Sequence, residues 1–96
     1  MPSKKKNKIT KILLFISKSS IYFHTTMEEF QKLMKALEEI QPFTSQIIDI
    51  SENPDMAEKY KVDALPTMII GDKRFIGQPS TEKIMKIIQS DSQRNS

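Results

Sequence analysis

Residues 11–16 read Lys-Ile-Leu-Leu-Phe-Ile, an unbroken apolar run of β-formers behind one lysine. A strand with one wet face alternates apolar and polar side chains. A strand with no alternation needs cover on both faces, as at the centre of a partly parallel sheet. This segment therefore demands a layered α/β core, and 96 residues leave room for one. With 38% hydrophobic and 28% charged residues, the composition suits a globular domain better than a disordered or fibrous chain.

The rest of the chain supplies the layers. Polar residues 17–20 end the first strand, and from Thr25 the spacing turns helical. Met27, Phe30, Met34 and Leu37 share a stripe that Leu33 and Ile40 widen, with Glu28, Glu29, Lys32, Lys35, Glu38 and Glu39 opposite. Thr26 with Glu29 reads as a capping box, Thr25 with Glu28 as its rival, and Pro42 closes the helix. Residues 45–50 form a second strand. Asn53 then caps, and Pro54 opens, a short helix that runs to Tyr60. Residues 67–70 and 74–76 are strands folded back as a hairpin through Gly71-Asp72-Lys73. Ser80 caps a last helix whose buried face is Ile84, Ile87 and Ile88. The order β-α-β-α-β-β-α requires a parallel pair through a right-handed crossover, then an antiparallel pair. The expected architecture is a mixed four-stranded sheet with helices on both faces. Residues 1–9 read as a flexible basic N-terminal arm, 10–89 as the domain, and 90–96, with no apolar anchor, as a disordered tail.

Several chemistries are excluded by count. There is no cysteine, hence no disulfide, thiolate nucleophile, iron–sulfur cluster or cysteine–zinc site. A single histidine rules out a multi-histidine metal site, and two glycines rule out a glycine-rich phosphate cradle. No cofactor and no metal is expected. Lys4, Lys5, Lys6 and Lys8 carry four of the positive charges; removing them from the net +3 leaves −1 for residues 9–96. Such an arm could touch nucleic acid or an anionic surface through charge alone, but no base-reading motif supports a specific nucleic-acid partner. Lys11 interrupts the apolar run, no small-residue cleavage site follows, and nothing approaches the roughly 18 apolar residues of a membrane span. No membrane partner and a cytoplasmic location are expected.

Val62-Asp63-Ala64-Leu65-Pro66-Thr67 leads into Met68-Ile69-Ile70-Gly71-Asp72-Lys73-Arg74-Phe75-Ile76-Gly77. Together with the element order and with Asp49-Ile50, Asn53 and Ala57-Glu58-Lys59-Tyr60, this stretch resembles the thioredoxin and glutaredoxin superfamily over residues 10–89. In that family the proline matching Pro66 is cis and sits beside the redox motif, leaving backbone groups free to pair with a bound peptide or glutathione. Elementary stereochemistry alone would also allow a trans proline at the start of a strand.

The redox motif itself is missing. Active members carry Cys-x-x-Cys or Cys-x-x-Ser between the first strand and the first helix. A glutaredoxin-like register puts Ile21 and His24 at those positions, and a register shifted by one puts Ser20 and Phe23 there. The spacing of Met27, Phe30 and Met34 favours the first. Neither register supplies a thiolate, and Ser20 cannot replace one because its hydroxyl stays protonated without an activating base. Thiol–disulfide exchange is excluded.

The candidate site is therefore the degenerate loop Ser20, Ile21, Tyr22, Phe23 and His24 with the Leu65, Pro66 and Thr67 groove. Lys18 and Gly77 are further possible ligand contacts. Ile21, Tyr22 and Phe23 put apolar side chains where loops normally carry polar ones. Three functions stay open. The first is a redox-inactive binding module for another protein or an extended peptide, by strand addition or through the Pro66 groove. The second is glutathione binding or another non-redox activity using His24 as a base. It is weakened by Gly77-Gln78, where glutaredoxins usually show Gly-Gly. The third is a regulatory protein resembling the circadian-clock KaiB family, which also has a cysteine-free thioredoxin-like sequence. That family's pre-helix Gly-x-Thr-Pro is absent here.

Overall fold

The apolar run becomes the spine of the sheet. The computed structural model describes residues 9–94, with side chains described through residue 90. In chain order the elements are β1 (Thr10–Ile16), α1 (Phe23–Glu38), β2 (Phe43–Asp49), α2 (Pro54–Lys59), β3 (Thr67–Ile70), β4 (Lys73–Ile76) and α3 (Thr81–Arg94). The four strands lie in the order β2-β1-β3-β4. β1 runs parallel to β2, with Thr10 opposite Phe43 and Ile16 opposite Asp49. β3 is antiparallel to β1 and β4 is antiparallel to β3. Interior placement explains the lack of alternation in β1, because both faces of the strand are covered.

Those faces carry unequal layers. Ile12, Leu14 and Ile16 of β1 meet Phe30, Leu33 and Leu37 of α1 and Ile84 and Ile88 of α3. On the other side Leu13, Phe15 and Ile48 pack against Met56, Tyr60, Val62 and Ile69 beneath the short α2. Helices thus cover both faces. Met27, Met34 and Met85 fill the margin of the larger core.

Two special backbone positions join these pieces. Gly71 has a φ of +60° at the first central position of the two-residue β3–β4 turn, which suits the hairpin's twist. Lys61 has a φ of +55° just past α2. Its N–H donates to the Glu58 carbonyl at 3.1 Å and that of Val62 donates to the Ala57 carbonyl at 2.8 Å. This is the paired bonding of a Schellman cap with lysine in the usual glycine place, and Val62 packs into the smaller core.

Several boundaries differ from the sequence reading. α1 starts at Phe23 with Tyr22 as N-cap and no side-chain cap bond, so neither threonine caps it. Thr26 is instead buried at the position that continues the Phe30, Leu33, Leu37 stripe. Ile87, expected in the buried face of α3, is exposed; Ile84 and Ile88 suffice for the contact. The helix also continues through Arg94, into the residues 90–96 expected as a disordered tail, because no glycine or proline interrupts it and extending a helix adds one bond per residue. The basic arm, apart from Ile9, and residues 95–96 lie outside the described residues. Among the described residues no helix is long and apolar enough to cross a membrane.

Candidate functional site

β1 delivers the chain at Ile16 into a tight turn closed by backbone and serine hydrogen bonds, with the Lys18 backbone bonding Asp49 at the end of β2. The Ser20 N–H donates to the Ser17 carbonyl at 3.0 Å, and the Phe23 N–H to the Ser20 carbonyl at 3.1 Å. The Ser20 hydroxyl accepts the Tyr22 N–H at 3.1 Å, and the Ser17 and Ser19 hydroxyls bond at 3.0 Å. A serine that bonds the amide two residues on helps to hold such a turn. The consequence is an apolar tip in water: Ile21 is 85% and Tyr22 58% exposed. Phe23 turns inward against the larger core.

The β3 side closes the site. The Leu65–Pro66 peptide bond is cis. The Thr67 hydroxyl donates to the Ala64 carbonyl at 2.7 Å, and the Gly77 N–H donates to the Pro66 carbonyl at 2.8 Å. A hollow of about 30 Å³ lies between Ser17, Ser20, Tyr22 and Phe23 on one side and Leu65 and Pro66 on the other. Such a space is about that of one water molecule. The structure thus brings the degenerate loop and the proline together. The residues that line the hollow are Ser20 and Phe23, those of the shifted register, whereas Ile21 and His24 do not line it.

His24 is the second residue of α1, not a residue before it, and it is exposed. Its ring meets the Phe23 ring edge-on at 5.4 Å between centroids. Among the described residues no carboxylate hydrogen-bonds it, so nothing orients it as a base. Lys18 lies outside the hollow, close enough to Asp49 to lower that carboxyl's pKa. The Gly77 amide is already used by Pro66. Neither Lys18 nor Gly77 lines the hollow. At the start of α3 the Ser80 hydroxyl accepts the Lys83 N–H at 3.4 Å, so this expected cap is present.

Two acids show what the surrounding polar groups do. Asp49, 7% exposed at the end of β2, titrates below its ordinary value. The Ser51 hydroxyl at 2.8 Å is the main cause; burial opposes it, and the Ser51 amide and Lys18 add to it. Glu29 is also lowered, first by its bond to Lys32 at 3.3 Å and then by the Thr81 hydroxyl at 3.1 Å. Glu29 and Lys32 line an open groove of about 850 Å³ between the starts of α1 and α3.

The sequence reading missed one polar link. The buried Thr26 hydroxyl donates to the Gln78 side-chain oxygen at 3.0 Å, tying α1 to the segment leading into α3. Its signal was positional: Thr26 stands four residues before Phe30 and seven before Leu33 on the apolar stripe. Among the described residues no cluster of side chains could hold a metal ion.

Comparison with known proteins bears on both fold and site. The sequence profile of one protein family, described as the KaiB domain, matches residues 13–90. A curated relative, a thioredoxin of Methanocaldococcus jannaschii, is 42% identical over 43 residues. That match takes in 44% of this chain and spans about half, 51%, of the relative's length. Among solved structures, one titled as a malarial protein superposes with a TM-score of 0.75 at 22% identity, covering 86% of this chain and 97% of that one. Thioredoxin 1 from Thermosipho africanus does so with a TM-score of 0.72 at 23% identity, covering 88% and 97%. These likenesses give a thioredoxin-like fold, here without the cysteines.

Proposed function

The chain belongs to the KaiB domain family, and on that premise we propose that it is a redox-inactive protein-binding module that regulates by association. The observation that carries this reading is the apolar tip. Ile21 and Tyr22 stand in water, Tyr22 lining the same hollow as Leu65, itself 38% exposed, on a turn in which the Ser20 hydroxyl accepts the Tyr22 N–H. Exposed apolar side chains gathered on a rigid turn mark contact surfaces, and an aromatic among them commonly supplies much of the binding energy. The absence of Gly-x-Thr-Pro leaves the family assignment intact and gives this member its own loop, Ser-Ser-Ile-Tyr-Phe-His at residues 19–24. Together with the absence of cysteine, this favours recognition over catalysis. The same proposal keeps the cytoplasmic setting expected from the sequence.

The test compares wild-type, Ile21→Asp and Tyr22→Asp chains, immobilised in equal amounts and exposed to extract of the source cells. A partner retained by the wild type and depleted at least about tenfold by both variants supports the reading. Partners retained equally by all three overturn it. Glutathione offers the contrasting outcome. Amide shifts clustered at Lys18, Pro66 and Gly77 on adding about millimolar glutathione would move the function to ligand binding. No such cluster is expected, because the Gly77 amide already bonds the Pro66 carbonyl and Lys18 does not line the hollow.

A further inference from the structure

We propose that the open edge of β4, with the groove it shares with α3, takes up an extended acidic segment of a partner protein as an added strand. This surface is separate from the Ile21–Tyr22 tip and goes beyond the reading above.

The backbone argument comes first. In the β3–β4 hairpin Ile70 pairs with Lys73, Ile69 with Arg74, Met68 with Phe75 and Thr67 with Ile76. A two-residue turn makes the pair that flanks it the hydrogen-bonded one, and bonding then alternates along the ladder. The Gly77 N–H to Pro66 carbonyl bond, at 2.8 Å, continues that alternation. Arg74 and Ile76 are thus the non-bonded positions, whose N–H and C=O groups point away from β3. β4 is the last strand of the sheet, so among the described residues no strand pairs with those groups. An extended chain can bond such an edge. The backbone is approachable at Gly77, where a Cβ would meet nothing within 4 Å.

Side chains supply the selectivity. A groove of about 370 Å³ runs between β4 and α3, lined by Phe75, Ile84, Ile87 and Lys83, while the Arg74 side chain leaves the same strand on the other face, at the end of α2. No acidic residue lines it, whereas Glu29 and Glu82 line the groove at Tyr22. The Arg74 guanidinium is held by the Tyr60 carbonyl at 2.7 Å and the Lys61 carbonyl at 3.4 Å. Neither Arg74 nor Lys83 forms an ion pair among the described residues. Ile76 is 62% exposed, and Ile87, expected from sequence to be buried, is also exposed beside the groove.

The charge decides the occupant. Basic side chains on an edge strand discourage pairing with another copy of the same strand, since like charges would face each other. They equally repel the lysine-rich residues 1–8. An extended segment that alternates acidic and apolar residues bonds the open backbone groups and turns its apolar side chains to the Phe75, Ile84 and Ile87 face and its acidic ones to the Arg74 face, with Lys83 beside the groove for a terminal or flanking acid.

The experiment titrates the isotope-labelled full chain with a short, end-capped peptide of alternating Glu and Val, and with its Lys–Val counterpart. Amide shifts are expected at residues 74–78 and 83–87 with the acidic peptide alone, weakening as salt is added. Ile76→Pro removes an outward-facing N–H without touching the ladder, and Lys83→Glu reverses an exposed rim charge. Each should weaken binding at least about tenfold. Ile21→Asp should leave it unchanged, which separates this proposal from the tip reading. Equal binding of the Lys–Val peptide would overturn the proposal. So would shifts at residues 21–22 and 65–66 instead, self-association of the chain through residues 74–78, or no shifts at about millimolar peptide.

Discussion

Two turns leave the same end of the sheet, one after each of the parallel strands β1 and β2, and each leads into a helix. The second turns inward. Asp49 accepts the Ser51 amide at 3.1 Å and hydroxyl at 2.8 Å, while the Asn53 side-chain amide donates to the Asp49 carbonyl at 3.1 Å. The first also closes its backbone with serines, yet sends Ile21 and Tyr22 into water; neither turn gives its helix a side-chain cap. Both are stable turns, but only one leaves apolar surface uncovered. A turn that closes its backbone and still exposes apolar side chains has those side chains available for a partner.

That contrast can be broken at its base or sharpened at its surface. The largest effect is expected from Phe15→Ala. This fully buried side chain lies in the layer beneath α2, with its ring 5.7 Å from that of Tyr60. A loss of about 3–5 kcal/mol in the urea-unfolding free energy is expected. Thr26→Val comes next, since it leaves the Gln78 side-chain oxygen without its donor. A loss of about 1 kcal/mol by the same measurement is expected, with amide shifts spreading into the start of α3.

Asp49→Asn is a smaller and pH-dependent change. Its carboxyl titrates lower in the folded chain than in the unfolded one. The stability this contributes is full above the unfolded carboxylate value and is lost as pH falls through the lower folded value. The gap in unfolding midpoint between wild type and Asp49→Asn should therefore be present at about pH 7 and close towards about pH 3. A gap independent of pH would show that Asp49 holds its turn by shape alone. The smallest effect on stability belongs to Ile21→Asp, within about 0.5 kcal/mol, because the side chain is already in solvent. A large drop in its unfolding midpoint would show the tip to be structural and erase the distinction between the turns.

Much of this was legible in the residues. Apolar β1, the helical stripe of α1 and the Gly71-Asp72 hairpin each state a local preference that tertiary packing confirms. The start of α1 was not. Thr26 has the residue type of a cap but the stripe position of a core residue, and the core position prevailed because burial with a hydrogen-bond partner satisfies both demands. Ile87 erred the other way, since periodicity shows which residues share a side of a helix but not how wide a neighbour covers it. The register of the lost cysteine motif was hidden for a related reason. Spacing favoured Ile21 and His24, and the residues facing Pro66 are Ser20 and Phe23.

By itself, the sequence determined the element order, the family resemblance and the impossibility of thiol chemistry, because hydrophobic period, turn residues and the absence of sulfur are local properties. Only the tertiary structure decided which loop residues meet Pro66, that the Gly77 amide is taken by the Pro66 carbonyl, and that among the described residues no strand pairs with the outer edge of β4. Those facts depend on the placing of segments distant in sequence, and packing fixes that placement only when the whole core forms.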